Sequence, residues 1–194
     1  TLINAIDRFF LAEMVDVETV GLYGTAYVLG LGLSLLHEAT HKAWQPYFFE
    51  YLAKDSKEMQ NKMVKMTWLY YIASIIVFFI YIEFIRIILP FFIGEDYLSS
   101  MSYIPLIALA YTFAGMYRVI AGYLYHINKT WLLASISVSA AILNIMLNYY
   151  LIPINGGLGA AQATLAAFIF LFLSVKVAVV MNYDMKWFGP ILRS

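Results

Sequence analysis

The chain has 194 residues, of which 63% are hydrophobic, 18% aromatic and only 12% charged. That charged share is about half the average for soluble domains, so there is too little polar surface to face water. Lys plus Arg and Asp plus Glu both number 12, which leaves no basic surplus for nucleic acid, and the absence of cysteine removes disulfides, thiolate metal sites and cysteine nucleophiles together.

In chain order, residues 1–14 begin apolar and end past Phe9, Phe10 and Leu11. They are too short to cross a hydrocarbon core of about 30 Å and read as the tail of a helix that begins upstream. Residues 20–49 make the first full span, with Pro46 near its end, where a kink costs little. The second, 64–89, stops at Pro90 and a polar Gly94-Glu95-Asp96 loop. The third covers 103–125. The fourth, 131–151, ends at Pro153, Gly156 and Gly157, and the fifth covers 158–181. The predicted fold is all-α: one polytopic transmembrane helix bundle over residues 1–194, with five full spans and the tail of a sixth.

Loop charge sets the expected orientation, because Lys and Arg collect on the cytoplasmic side. Lys54, Lys57, Lys62 and Lys65, then Lys129, then Lys186 and Arg193 alternate with Glu13, Asp16 and Glu18, then Glu95 and Asp96, then an uncharged 153–157 turn. A multi-pass protein of the cytoplasmic (inner) membrane follows, with its C-terminus in the cytoplasm. Trp44, Tyr47, Trp68, Tyr149, Tyr150 and Trp187 fall near span ends, as belt aromatics do.

Charges inside spans are costly, and so they are paired, turned inward or functional. His37 and His41 share a helix face, and Glu38 precedes Lys42 by four residues, the favourable order for an ion pair, with Gln45 a turn later. Glu83 and Arg86, three apart, are expected to pair, and Lys176 to snorkel toward the interface. Arg118 has no acid nearby in sequence and needs a partner from another helix, a wet cavity or a bound anion.

His37-Glu38-Ala39-Thr40-His41 spells the H-E-x-x-H pattern of zinc proteases, in which two histidines bind the metal and Glu polarises its water. Catalytic zinc needs a third protein ligand. The remaining histidine, His126, falls at the cytoplasmic end of another span while Glu83 and Glu95 lie toward the opposite face, so no third ligand converges and the intramembrane metalloprotease is the minor alternative, with His37 and His41 as its zinc ligands.

Asp7-Arg8-Phe9-Phe10, Val20-Gly21-Leu22-Tyr23 with Ala26-Tyr27, and Ala43-Trp44-Gln45-Pro46-Tyr47-Phe48-Phe49 stand in order along the N-terminal quarter. Asn144 to Pro153, with Asn148 inside it, then Gly156 to Gly159 and Ala160-Ala161-Gln162-Ala163-Thr164 follow near the C-terminus. Together they resemble the polysaccharide and O-antigen repeat-unit flippases of the MATE-like (MOP) exporter superfamily, over nearly the whole chain. Residues 37–42 depart from the family pattern, which carries apolar or small polar residues there.

The resemblance implies two six-helix bundles facing each other across a cavity, of which this chain is similar to the C-terminal one and the N-terminal half of the transporter is the partner. It implies flipping of undecaprenyl-diphosphate-linked oligosaccharide by alternating access, with no chemical step and no cofactor. Arg118, Lys42 and Arg8 are then expected to make the cavity positive and neutralise the diphosphate, while Gln45 binds sugar hydroxyls and the prenyl tail stays among membrane lipid. The polar positions Glu38, His37 and His41 line the same expected path. A multidrug or cation antiporter of the same superfamily is the other alternative, with Glu38 or Asp7 as the acid that couples to a cation.

Overall fold

The computed structural model describes residues 2–54, 56–92, 94–183 and 187, and for residues 2–5 and 95–98 the backbone alone. Lys186 and Arg193 of the expected cytoplasmic charge set lie outside the described residues. Six helices follow in order: α1 (Leu2–Met14), α2 (Val17–Ala53), α3 (Lys57–Ile88), α4 (Ile104–His126), α5 (Thr130–Asn155) and α6 (Gly157–Asn182). Two 3-10 segments, Leu89–Phe91 and Glu95–Ser102, join α3 to α4. There is no strand among the described residues. Five helices are long and apolar enough to cross a membrane, so the chain is a multi-pass membrane helix bundle.

The helix starts follow local chemistry. Asp16 caps α2, its carboxylate accepting from the Thr19 backbone N–H at 2.6 Å and from the Thr19 hydroxyl at 3.1 Å. The Ser56 hydroxyl caps α3 by accepting from the Met59 N–H at 3.2 Å. Pro90 follows the end of α3 at Ile88, as expected, whereas Pro153 does not end its helix. Pro46 sits inside α2 and Pro153 inside α5, each removing one backbone hydrogen bond while packing keeps the helix going. The real stop for α5 is Gly156, whose φ of 54° no β-carbon favours. Gly159 completes the turn: a β-carbon there would lie 2.2 Å from the Leu151 carbonyl oxygen.

The centre of the bundle is α4. Two thirds (67%) of its most apolar window is buried, against 22% for α3 and 17% for α5, so most of the surface of the latter two faces out of the bundle. Small residues let α2 lie against α4. A β-carbon at Gly30 would meet Ile107 at 2.6 Å, one at Gly115 would meet His37 at 2.5 Å, and one at Gly122 would meet Phe48 at 2.7 Å. One apolar cluster forms around Tyr23, Tyr27, Tyr111 and Phe168, using α4 residues 104–114. The second surrounds Phe48, Tyr71, Tyr123 and Trp187, using α4 residues 116–124. His37 and Arg118 fall at the junction between the two.

Candidate functional site

Arg118 projects from α4 eight residues before the helix ends at His126, about 12 Å inside that end at 1.5 Å per residue. Its Nη1 is sealed from solvent and has no hydrogen-bond partner. Its charge acts on His37, Glu38 and His41 of α2 and on Tyr70 of α3, and His41 meets the Arg118 backbone. The chain therefore brings Arg118, His37 and His41 to one level. His37 is 4% exposed; its Nδ1 and the Tyr70 hydroxyl share a hydrogen bond of 2.8 Å, and the two rings meet edge-on at 5.9 Å. The half-buried guanidinium thus keeps one sealed N–H unfilled, and a charge in this setting needs a counter-charge or water.

The other expected site residues divide. Lys42 is held by Glu38 at 2.6 Å on the exposed face of α2, so its charge is already matched. Gln45 lines a small hollow with His41, Trp44 and Phe48, next to Gly122 of α4, and thus belongs to the Arg118 level. Arg8 does not. Its guanidinium lies 5.3 Å from the centre of the Tyr27 ring, fourteen residues of α2 away from His41, or about 21 Å. Arg8, Lys42 and Arg118 do not form one cationic cavity.

Zinc geometry is not assembled by the H-E-x-x-H string. His37 is engaged with Tyr70, and His126 meets the Tyr183 ring edge-on at 6.1 Å. Among the described residues no three of His, Cys, Asp and Glu converge. The two expected charge arrangements nearer the span ends also differ from the structure. The ion pairs among the described residues are Lys42–Glu38 and Lys54–Glu50, so Glu83 and Arg86 are not paired. Lys176 does not snorkel: its ammonium lies 4.4 Å from the ring centre of Trp68, 4.6 Å from Trp187 and 4.9 Å from Tyr71, without a hydrogen bond. Trp68 and Trp187 thus face a buried cation rather than a membrane surface.

The second polar centre is Asp7, fully buried and marked in the sequence only as a possible coupling acid. Its Oδ2 accepts from the Tyr23 hydroxyl at 2.9 Å and from the Thr164 hydroxyl. Its Oδ1 accepts from Asn148 Nδ2 at 2.7 Å and Asn144 Nδ2 at 3.3 Å. Four helices, α1, α2, α5 and α6, therefore meet on one carboxylate. The signal for it was present: each motif that carried the family resemblance near Asp7, Tyr23, Asn144 and Thr164 supplies one of these groups. The motifs are far apart in sequence because they are neighbours in space. Asn148 Oδ1 is buried with no partner.

Comparison with known proteins bears on this geometry. The sequence model of the MatE family matches residues 49–150. The chain is 25% identical over 140 residues to "Lsg locus putative protein 1" of Haemophilus influenzae, an alignment covering 71% of this chain and 34% of that protein. The chain thus spans about a third of the length of that relative. No solved structure matches.

Proposed function

We infer a function from the premise that this chain belongs to the MatE family, whose match covers residues 49–150 of the 194. It forms the C-terminal half of an exporter of the MOP superfamily, working with an N-terminal half to flip undecaprenyl-diphosphate-linked oligosaccharide across the cytoplasmic membrane by alternating access. The observation that carries this is Arg118, a guanidinium in a membrane-spanning helix with its Nη1 buried and unpartnered.

The diphosphate is the part of such a lipid that most resists crossing hydrocarbon. A planar fork of N–H donors suits it, and an unfilled donor in a low-dielectric setting binds an anion more strongly than one in water. His41 sits beside it to add a further donor, and Gln45 lies one turn on toward the lysine-rich end to meet a hydroxyl of the sugar. Arg8 belongs to a later stage of the path, about 21 Å nearer the opposite face. The lysine-rich end faces the cytoplasm in this account, as does the C-terminus. No bond is made or broken, which sets the exporter apart from a zinc protease at His37 and His41.

A cation-coupled antiporter is the alternative, favoured by Asp7. A buried carboxylate flanked by the oxygens of Asn148 and Thr164 offers the hard ligands that a small cation takes. Expression of the full-length protein in cells lacking a polysaccharide exporter separates the two. Restored surface polysaccharide with unchanged tolerance to toxic organic cations supports the flippase, and raised tolerance without restored polysaccharide supports the antiporter.

A further inference from the structure

Resting on that export function, we propose that the groove between α2 and α3 seats the first isoprenoid carbons of the transported lipid while Arg118 and His41 hold its diphosphate. The groove has a volume of about 200 Å³ and runs between Thr40 and Trp44 of α2 and Met66, Leu69, Tyr70 and Ala73 of α3. At a liquid-water share of about 30 Å³ per small group, that is room for roughly seven methylene-sized groups. Its walls are almost wholly apolar, so a sugar placed there would leave its hydroxyls without partners, whereas a hydrocarbon chain has none to satisfy.

His41 fixes the register of such a chain. It lines both this groove and the smaller hollow that holds Gln45, and so marks the point where an apolar channel meets a polar one. Val119, the neighbour of Arg118, lines both as well. A molecule with a hydrocarbon tail and an anionic head matches that sequence of surfaces in order: tail between α2 and α3, charge at His41 and Arg118, sugar toward Gln45.

Depth distinguishes a transported lipid from a resident one. Arg118 lies about 12 Å inside the end of α4, below the level at which a bilayer phospholipid keeps its phosphate. A lipid in transit carries its phosphates through that depth.

The test uses the full-length exporter purified in detergent and farnesyl diphosphate bearing a diazirine in its first isoprene unit. The photoadduct is expected on residues 40–44 or 66–73. Ala73→Trp, which fills the groove, is expected to lower labelling at least fivefold, and Arg118→Gln to lower it by a similar factor. An adduct elsewhere in the wild-type protein overturns the groove without requiring any variant to fold. Labelling lost in Arg118→Gln and kept in Ala73→Trp also overturns the groove while leaving the anion site, and with it the export function, in place. Labelling indifferent to both overturns the two together. Competition by phosphatidylglycerol as effective as that by unlabelled farnesyl diphosphate makes this a general lipid groove and overturns the proposal.

Discussion

Asn148 Nδ2 donates to Asp7 Oδ1 at 2.7 Å, joining α5 to α1 across 141 residues of chain. With Tyr23, Asn144 and Thr164 on the same carboxylate, this bond makes Asp7 the fastening point for four helices. Asp7→Ala would leave the Tyr23, Thr164 and Asn144 donors without their acceptor, Asn148 Nδ2 keeping Asn144 Oδ1 at 3.2 Å, and unsatisfied buried groups cost on the order of 1–3 kcal/mol each before relaxation. We expect Asp7→Ala to lower unfolding free energy by about 3 kcal/mol, read from denaturant titration of the purified protein. Asp7→Asn, which keeps the shape and part of the bonding, is expected to lose less. Equal stability of Asp7→Ala and wild type would remove the fastening role.

The turn between α5 and α6 makes a sharper demand. Any β-carbon at position 159 would fall 2.2 Å from the Leu151 oxygen and 2.5 Å from its carbon, and backbone atoms cannot swing aside as a side-chain tip can. Gly159→Ala is therefore expected to cut the yield of folded protein several-fold, whereas Gly21→Ala, with nothing within 4 Å, leaves it unchanged. The monodisperse peak in size-exclusion chromatography measures both.

Lys176 is the buried charge whose partners are rings. Aromatic faces attract a desolvated cation by about 2 kcal/mol, against a desolvation penalty of several kcal/mol. These oppose each other, so Lys176→Met, similar in length and apolar, is expected to change stability by less than about 1 kcal/mol. Lys176→Glu places a carboxylate against the negative faces of three rings and is expected to destabilise by more than about 2 kcal/mol. Thermal unfolding in one detergent ranks the three proteins, and a Lys176→Glu variant as stable as wild type would contradict the ring geometry.

The spans, the bundle and the family motifs were legible in sequence because each depends on residues near one another along the chain: twenty apolar residues make a span wherever they occur. The sites were less so. Asp7 meets Asn144 and Thr164 across 137 and 157 residues, and helical periodicity does not say which helices touch. Trp68 and Trp187 lie near helix ends, where a belt residue and a residue covering Lys176 have the same address in sequence. Proline gave a stop signal at position 153 that neighbouring packing overrode, whereas Gly156, with its positive φ, kept its meaning. Arg118 was legible as an unpaired charge, and its grouping with His37 and His41 required α4 to lie against α2. Arg8 was expected in the same group, and the helix rise separates it.

The central claim is that the unfilled guanidinium of Arg118 carries the anionic head of the exported lipid. Its most direct test is surface polysaccharide in exporter-deficient cells expressing full-length wild type, Arg118→Lys or Arg118→Ala, at matched amounts in the membrane. Losing a charge-assisted contact of about 1.5–3 kcal/mol predicts at least a tenfold fall for Arg118→Ala, with partial recovery for Arg118→Lys, which keeps the charge and loses the fork. Wild-type polysaccharide from Arg118→Ala would contradict the account.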